Sequence, residues 1–141
     1  MIFQDPILNK LKGFSLLEVL ISVFILAIGL LGLAGLQINS LKNNHSAQYR
    51  TSATVLAYDI IDRIRLNRNA DYTLTMAAAP SGTGLKNTDL IAWVAQITND
   101  LPSGDGAISL NGNIVTVTVQ WDDSRATSGG ATQSFTVSSE R

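Results

Sequence analysis

Glu18 is the side chain whose position most demands an explanation. It stands one residue ahead of an apolar run, Val19 to Leu36, in which Ser22 is the lone polar side chain. At about 1.5 Å per helical residue the run spans roughly 27 Å, close to the thickness of a bilayer's hydrocarbon core. A carboxylate at the head of such a run is costly to place in lipid, so it marks function before packing. Other candidates carry less. His45 is the sole histidine, with Ser40 and Ser46 nearby. A nucleophilic triad needs a histidine beside a serine and a carboxylate, and no nucleophile motif accompanies this one. Asp105, Asp122 and Asp123 are of the type that holds calcium, but no ligand loop with a closing Glu surrounds them, and they read as solvated turn residues. Gly82-Thr83-Gly84 is too short for a phosphate loop. No catalytic, cofactor or metal site is therefore expected, and no small-molecule substrate.

Composition narrows the classes further. At 141 residues the chain has room for one domain and a membrane segment. Its formal net charge of −1, with no charge run of about five residues, gives no pointer to nucleic acid. Cysteine is absent, which removes disulfide frameworks and thiolate metal sites. Past Leu41 the residues are those of an ordinary soluble domain, rich in Thr, Ser, Asn and Gly.

The apolar run admits three readings. A secretory signal peptide has a basic start, a short apolar core and a small-residue cleavage site after it. Lys10 and Lys12 supply the start and Gly32-Leu33-Ala34 the site, but the run is long for that role and Glu18 intrudes at its head. Cleavage at Ala34 would release a periplasmic binding module. A plain single-pass anchor fits the length. Its orientation is not set by charge, because Lys10 and Lys12 before the run are balanced by Lys42 and Arg50 after it.

The third reading rests on Gly13-Phe14-Ser15-Leu16-Leu17-Glu18. Gly13 precedes Phe14, Glu18 is the fifth residue counted from Phe14, and a short polar leader comes before. From Lys10 to about Leu36 the chain resembles type IV prepilins. The resemblance implies cleavage between Gly13 and Phe14 by prepilin peptidase, methylation of the new Phe14 amine, and a role for Glu18 in subunit assembly. It also implies the type IV pilin fold: α+β, with a long N-terminal helix, its first half transmembrane, packed on a small antiparallel β-sheet head. The division it suggests is a leader at 1–13, a transmembrane and filament-core half at 14–41, and a head at 42–141. Elementary physics agrees with the assembly role. A carboxylate near a helix N-terminus favours the macrodipole, and pairing Glu18 with a neighbour's amine would offset the cost of an isolated charge in lipid.

Gly29, Gly32 and Gly35, spaced by three, either let the helix stretch or reflect the ordinary frequency of glycine in membrane helices. Helix is expected from Phe14 through Arg68. Ala53, Leu56, Ala57, Ile60, Ile61 and Ile64 form one stripe at three- and four-residue spacing. Asp59 with Arg63 and Asp62 with Arg65 are spaced to pair on the solvated face. Residues 69–86 read as a linker, with short strands possible at Tyr72 to Met76. A second helix, capped by Asn87 or Thr88 and running to about Asn99, should bury Leu90, Ile91, Val94 and Ile97, with Trp93 at its edge. Strands are expected at Ala107–Leu110, Asn113–Trp121 and Gln133–Ser138. The first two join through a type I′ turn at Asn111-Gly112, with Val115, Val117, Val119 and Trp121 on one face and Phe135 and Val137 inward.

The head has its own likeness. Trp93, Leu101-Pro102-Ser103-Gly104-Asp105-Gly106 and Val117-Thr118-Val119-Gln120-Trp121-Asp122-Asp123 resemble PilV-type minor pilins, the type IV pilus modification proteins. That likeness implies a non-enzymatic subunit that primes pilus assembly or sits at the tip, with connections to twitching motility and cell adhesion. The implied partners are prepilin peptidase, other minor pilins, the major pilin and the assembly machinery. The implied location is the inner membrane before assembly, then the pilus. A pseudopilin of a type II secretion system would share the leader and the helix.

Overall fold

The computed structural model describes residues 13–141. Of the expected leader only Gly13 is among them; Lys10 and Lys12 lie outside the described residues. Helix α1 runs from Leu16 to Leu66, starting two residues later and ending two earlier than expected. The chain divides into two units, Met1–Ile38 and Asn39–Arg141.

In the first unit every described side chain is exposed. Helix begins as Ser15 O accepts the amides of Glu18 and Val19 at 3.0 and 3.2 Å. One turn on, Ser22 Oγ donates to Glu18 O at 2.7 Å, so the run's one polar side chain is satisfied by its own backbone. The apolar stretch has a mean hydropathy of 2.7, and none of it is buried within the chain. By length and composition this helix can cross a membrane.

The second unit is α+β: the rest of α1 packed on helix α2 (Leu85–Asp100) and a three-stranded antiparallel sheet. The strands are β1 (Asp105–Asn111), β2 (Ile114–Trp121) and β3 (Gln133–Glu140), in the order β1-β2-β3. The whole predicted α1 stripe is buried. Strand β2 alternates as its sequence demands: Val115, Val117, Val119 and Trp121 are buried. On the other face Thr116 bonds Ser138 and Thr118 bonds Thr136 through their hydroxyls, at 2.8 and 3.0 Å. Phe135 pairs with Val119 and Val137 with Val117, placing both against the core.

Several expectations about the turn and helix α2 need correction. The β1–β2 turn lies one residue later than expected. Asn111 pairs with Ile114, leaving Gly112 and Asn113 as the turn, and only Gly112 has a positive φ (59°). That is the requirement of a type II′ turn, with glycine first, and not of type I′. Helix α2 starts at Leu85 behind Gly84, with no side-chain cap from Asn87 or Thr88. Ile91 is 43% exposed, and Trp93 is fully buried at the centre of the core. Its indole N–H donates to Leu56 O of α1 at 2.8 Å. Gly106 permits this: a Cβ there would stand 2.5 Å from Trp93 Cη2.

The stretch before α2 is more than a linker. Tyr72 and Leu74 are buried, and Leu74 exchanges both backbone bonds with Ile108 at 2.9 and 2.8 Å. It forms an isolated bridge beside β1, where short strands were expected.

Candidate functional site

Two places hold the residues that sequence reasoning singled out. The first is the head of α1. Phe14 is 84% exposed, and Glu18 is exposed in the first helical turn, making no ion pair among the described residues. Glu18 is where a carboxylate complements the positive end of the helix dipole. Gly13 is open: a Cβ there would meet nothing within 4 Å among the described residues, and its φ is not in the left-handed region. Among the described residues nothing sets a demand for glycine at 13. The same holds for Gly29, Gly32 and Gly35, each with open space where a Cβ would go.

Large apolar side chains from Phe14 through Leu41 stand exposed, among them Leu16, Phe24, Leu31 and Leu36. At about 25 cal/mol per Å² of apolar surface, such a helix is strongly driven out of water, into lipid or against other apolar helices.

Residues 8–34 match the family model for the prokaryotic N-terminal methylation motif. Over this stretch the chain is similar to type IV prepilin-like proteins. The motif belongs to type IV prepilin-like proteins, pilins and pseudopilins among them, which prepilin peptidase processes. A membrane-anchored helix before assembly agrees with the exposed apolar stretch. No curated protein and no solved structure gave a match.

The second place is in the head, where loop 122–132 lies against α1. Asp123 was expected on a solvated turn, but it is 3% exposed. Its carboxylate accepts a hydrogen bond from Ser46 Oγ of α1, and its amide donates to Gly130 O at 3.0 Å. Ser46, read from spacing as ordinary helix surface, therefore fastens this loop to the helix. Gly129 approaches the Asp123 carbonyl so closely that a Cβ would collide with it. Asp122 accepts from Ser124 N at 2.8 Å, and bonds from Ser124 hold its carboxyl below the usual carboxylate range. Asp105 is committed elsewhere, accepting from Ala77 N at 2.6 Å and Gly106 N at 2.7 Å. The three acids thus serve local backbone and hydroxyl donors.

His45 is exposed on α1, its ring 6.5 Å from that of Tyr49. Asp59–Arg63 and Asp62–Arg65 both form, at 2.9 Å each. Sequence spacing did not reveal that Arg63 also reaches Asp89 of α2 at 3.5 Å. Tyr72 OH donates to that same Asp89 at 2.7 Å. Burial, and then this bond to a carboxylate, push the Tyr72 phenol above its ordinary range.

Proposed function

We propose that the protein is a minor pilin of the PilV type. It is cut between Gly13 and Phe14 by prepilin peptidase, methylated on the Phe14 amine and built into a type IV pilus. The observation that carries this reading is the exposed Glu18 at the head of an apolar helix that the chain itself leaves uncovered. After cleavage, the Phe14 amine of one subunit and Glu18 of another are opposite charges in an apolar setting. Pairing them offsets the desolvation cost that either would carry alone. Such contacts are heterologous and do not close, so they propagate a filament. In this reading 1–13 is the discarded leader, 14–41 the membrane and filament-core half, and 42–141 the head. The subunit acts with the major pilin and other minor pilins to prime assembly or form the tip, with consequences for twitching motility and adhesion.

Mass spectrometry of membrane-extracted protein tests the processing. A mature chain beginning at methylated Phe14 supports the reading; one beginning at Gly35 makes it a released periplasmic module. Glu18→Ala should enter the membrane normally and be missing from sheared filaments. Wild-type incorporation of that variant would refute the assembly role. A type II secretion pseudopilin shares the motif, and deletion separates the two: loss of twitching supports the pilus, loss of exoprotein secretion the alternative.

A further inference from the structure

In the head, α1 and loop 122–126 enclose a groove of about 500 Å³. Its basic side chains are Lys42 and His45 from α1 and Arg125 from the loop, with Tyr49 and Ser124 beside them. The acid lining it, Asp123, is buried and already accepts the Ser46 hydroxyl. That bond fixes the loop and so places Arg125, two residues on, across the groove from the helix. Lys42, Arg125 and the nearby Arg50 make no salt bridge among the described residues, whereas Arg63 and Arg65 are both paired. The groove thus offers two unpaired cations, an imidazole and a phenol to an anion.

Its place along α1 selects the anion. Leu41 is the last large exposed apolar residue before Val55, and Lys42 is the next residue in the helix. Cations and amphipathic aromatics directly past an apolar span sit at headgroup depth. Resting on the bilayer reading of that span, we propose that the groove binds a phosphate group, supplied by an anionic phospholipid of the leaflet facing the head. Arg125 takes phosphate oxygens in a fork, Lys42 adds a point charge, and Tyr49 lies against the glycerol region.

The test uses the full processed chain in lipid nanodiscs, of phosphatidylcholine alone or with about a quarter phosphatidylglycerol, and native mass spectrometry of the lipid retained on release. Retained phosphatidylglycerol should exceed its share of the disc, and each cation removed should lower the site's preference for phosphatidylglycerol over phosphatidylcholine, taken as a ratio of affinities, about fivefold. Lys42→Gln and Arg125→Gln test this singly and together, with Lys86→Gln as a control that keeps the enrichment. Arg125→Gln lies on an exposed loop and leaves the core intact, so it reads the site even if the double variant folds poorly. The ring signals of the single histidine report occupancy directly. If millimolar inorganic phosphate in phosphatidylcholine discs moves them as far as phosphatidylglycerol does, the phosphate site stands and its source is the solution. Enrichment that ignores both substitutions, or that is absent while the chain is inserted, overturns the proposal and leaves the bilayer reading standing. A chain that does not enter the discs overturns the bilayer reading and this site with it.

Discussion

The two tryptophans show how one hydrogen bond separates similar residues. Trp93 and Trp121 are both buried, at 0% and 2% exposure. Trp93 donates to Leu56 O, whereas Trp121 Nε1 has no partner among the described residues. A buried donor left unpaired carries a desolvation penalty of about 1–3 kcal/mol, while a made bond contributes about 1 kcal/mol. Trp93→Phe should therefore cost roughly 2–4 kcal/mol, combining the lost bond with the lost packing volume. Trp121→Phe should cost clearly less, because the volume it gives up is offset by removal of the unpaired donor. Urea midpoints of the two variants check the order. At this scale the leader motif was legible because its residues lie within six positions of sequence. Ser46 and Asp123 were not, because they meet across 77 residues and nothing in either local sequence announces the other.

Among the elements, α1 and β2 could be read directly. The Ala53–Ile64 stripe has a helical period, and Val115–Trp121 alternates strictly, so each pattern has one physical solution. Helix α2 has two. Leu90 and Ile97 belong equally to a face completed by Val94 or one completed by Trp93. The choice was made by distant partners, the Leu56 carbonyl and the bare Gly106, which periodicity does not contain. The hairpin erred by one residue for a related reason: Gly112 satisfies a positive φ at either turn position, and pairing across the strands decides which. Between α1 and α2, Tyr72 and Arg63 share Asp89. The Tyr72 phenol has a folded pKa above its ordinary 10.0. The folded chain thus holds a proton that the unfolded chain loses in that range. The stability tied to it is intact below pH 10 and is lost as pH rises through the higher folded value. Tyr72→Phe should lower stability by about 1 kcal/mol at neutral pH and flatten the decline above pH 10. Denaturant midpoints across pH 8 to 11 measure both.

On the scale of the molecule, the buried core lies wholly within Asn39–Arg141, from Ala53 to Trp121. None of its side chains comes from the apolar half of α1. A chain starting at Asn39 should fold and stay soluble. Its urea midpoint should match that of the full chain in detergent to within about 1 kcal/mol of stability, since the removed half supplies no side chain to that core. A collapse of its cooperative transition would show that the apolar half supports the head. The long helix and the small sheet were both foreseeable from sequence because their signals are local and periodic. The loop that closes over α1 near Ser46 was not, since Gly, Ser and Thr leave its path open until the Asp123 carboxylate is buried.

Both indoles of this protein are confined to the head, and the helix from Leu16 to Ile38 contains none. Intrinsic emission is therefore a private channel for the head's integrity, dark to whatever happens along the greasy stretch. A lipophilic quencher and a denaturant titration can be read side by side on one unlabelled sample. Dimming by the first would mean that the head dips into lipid, and a red shift under the second that it has opened.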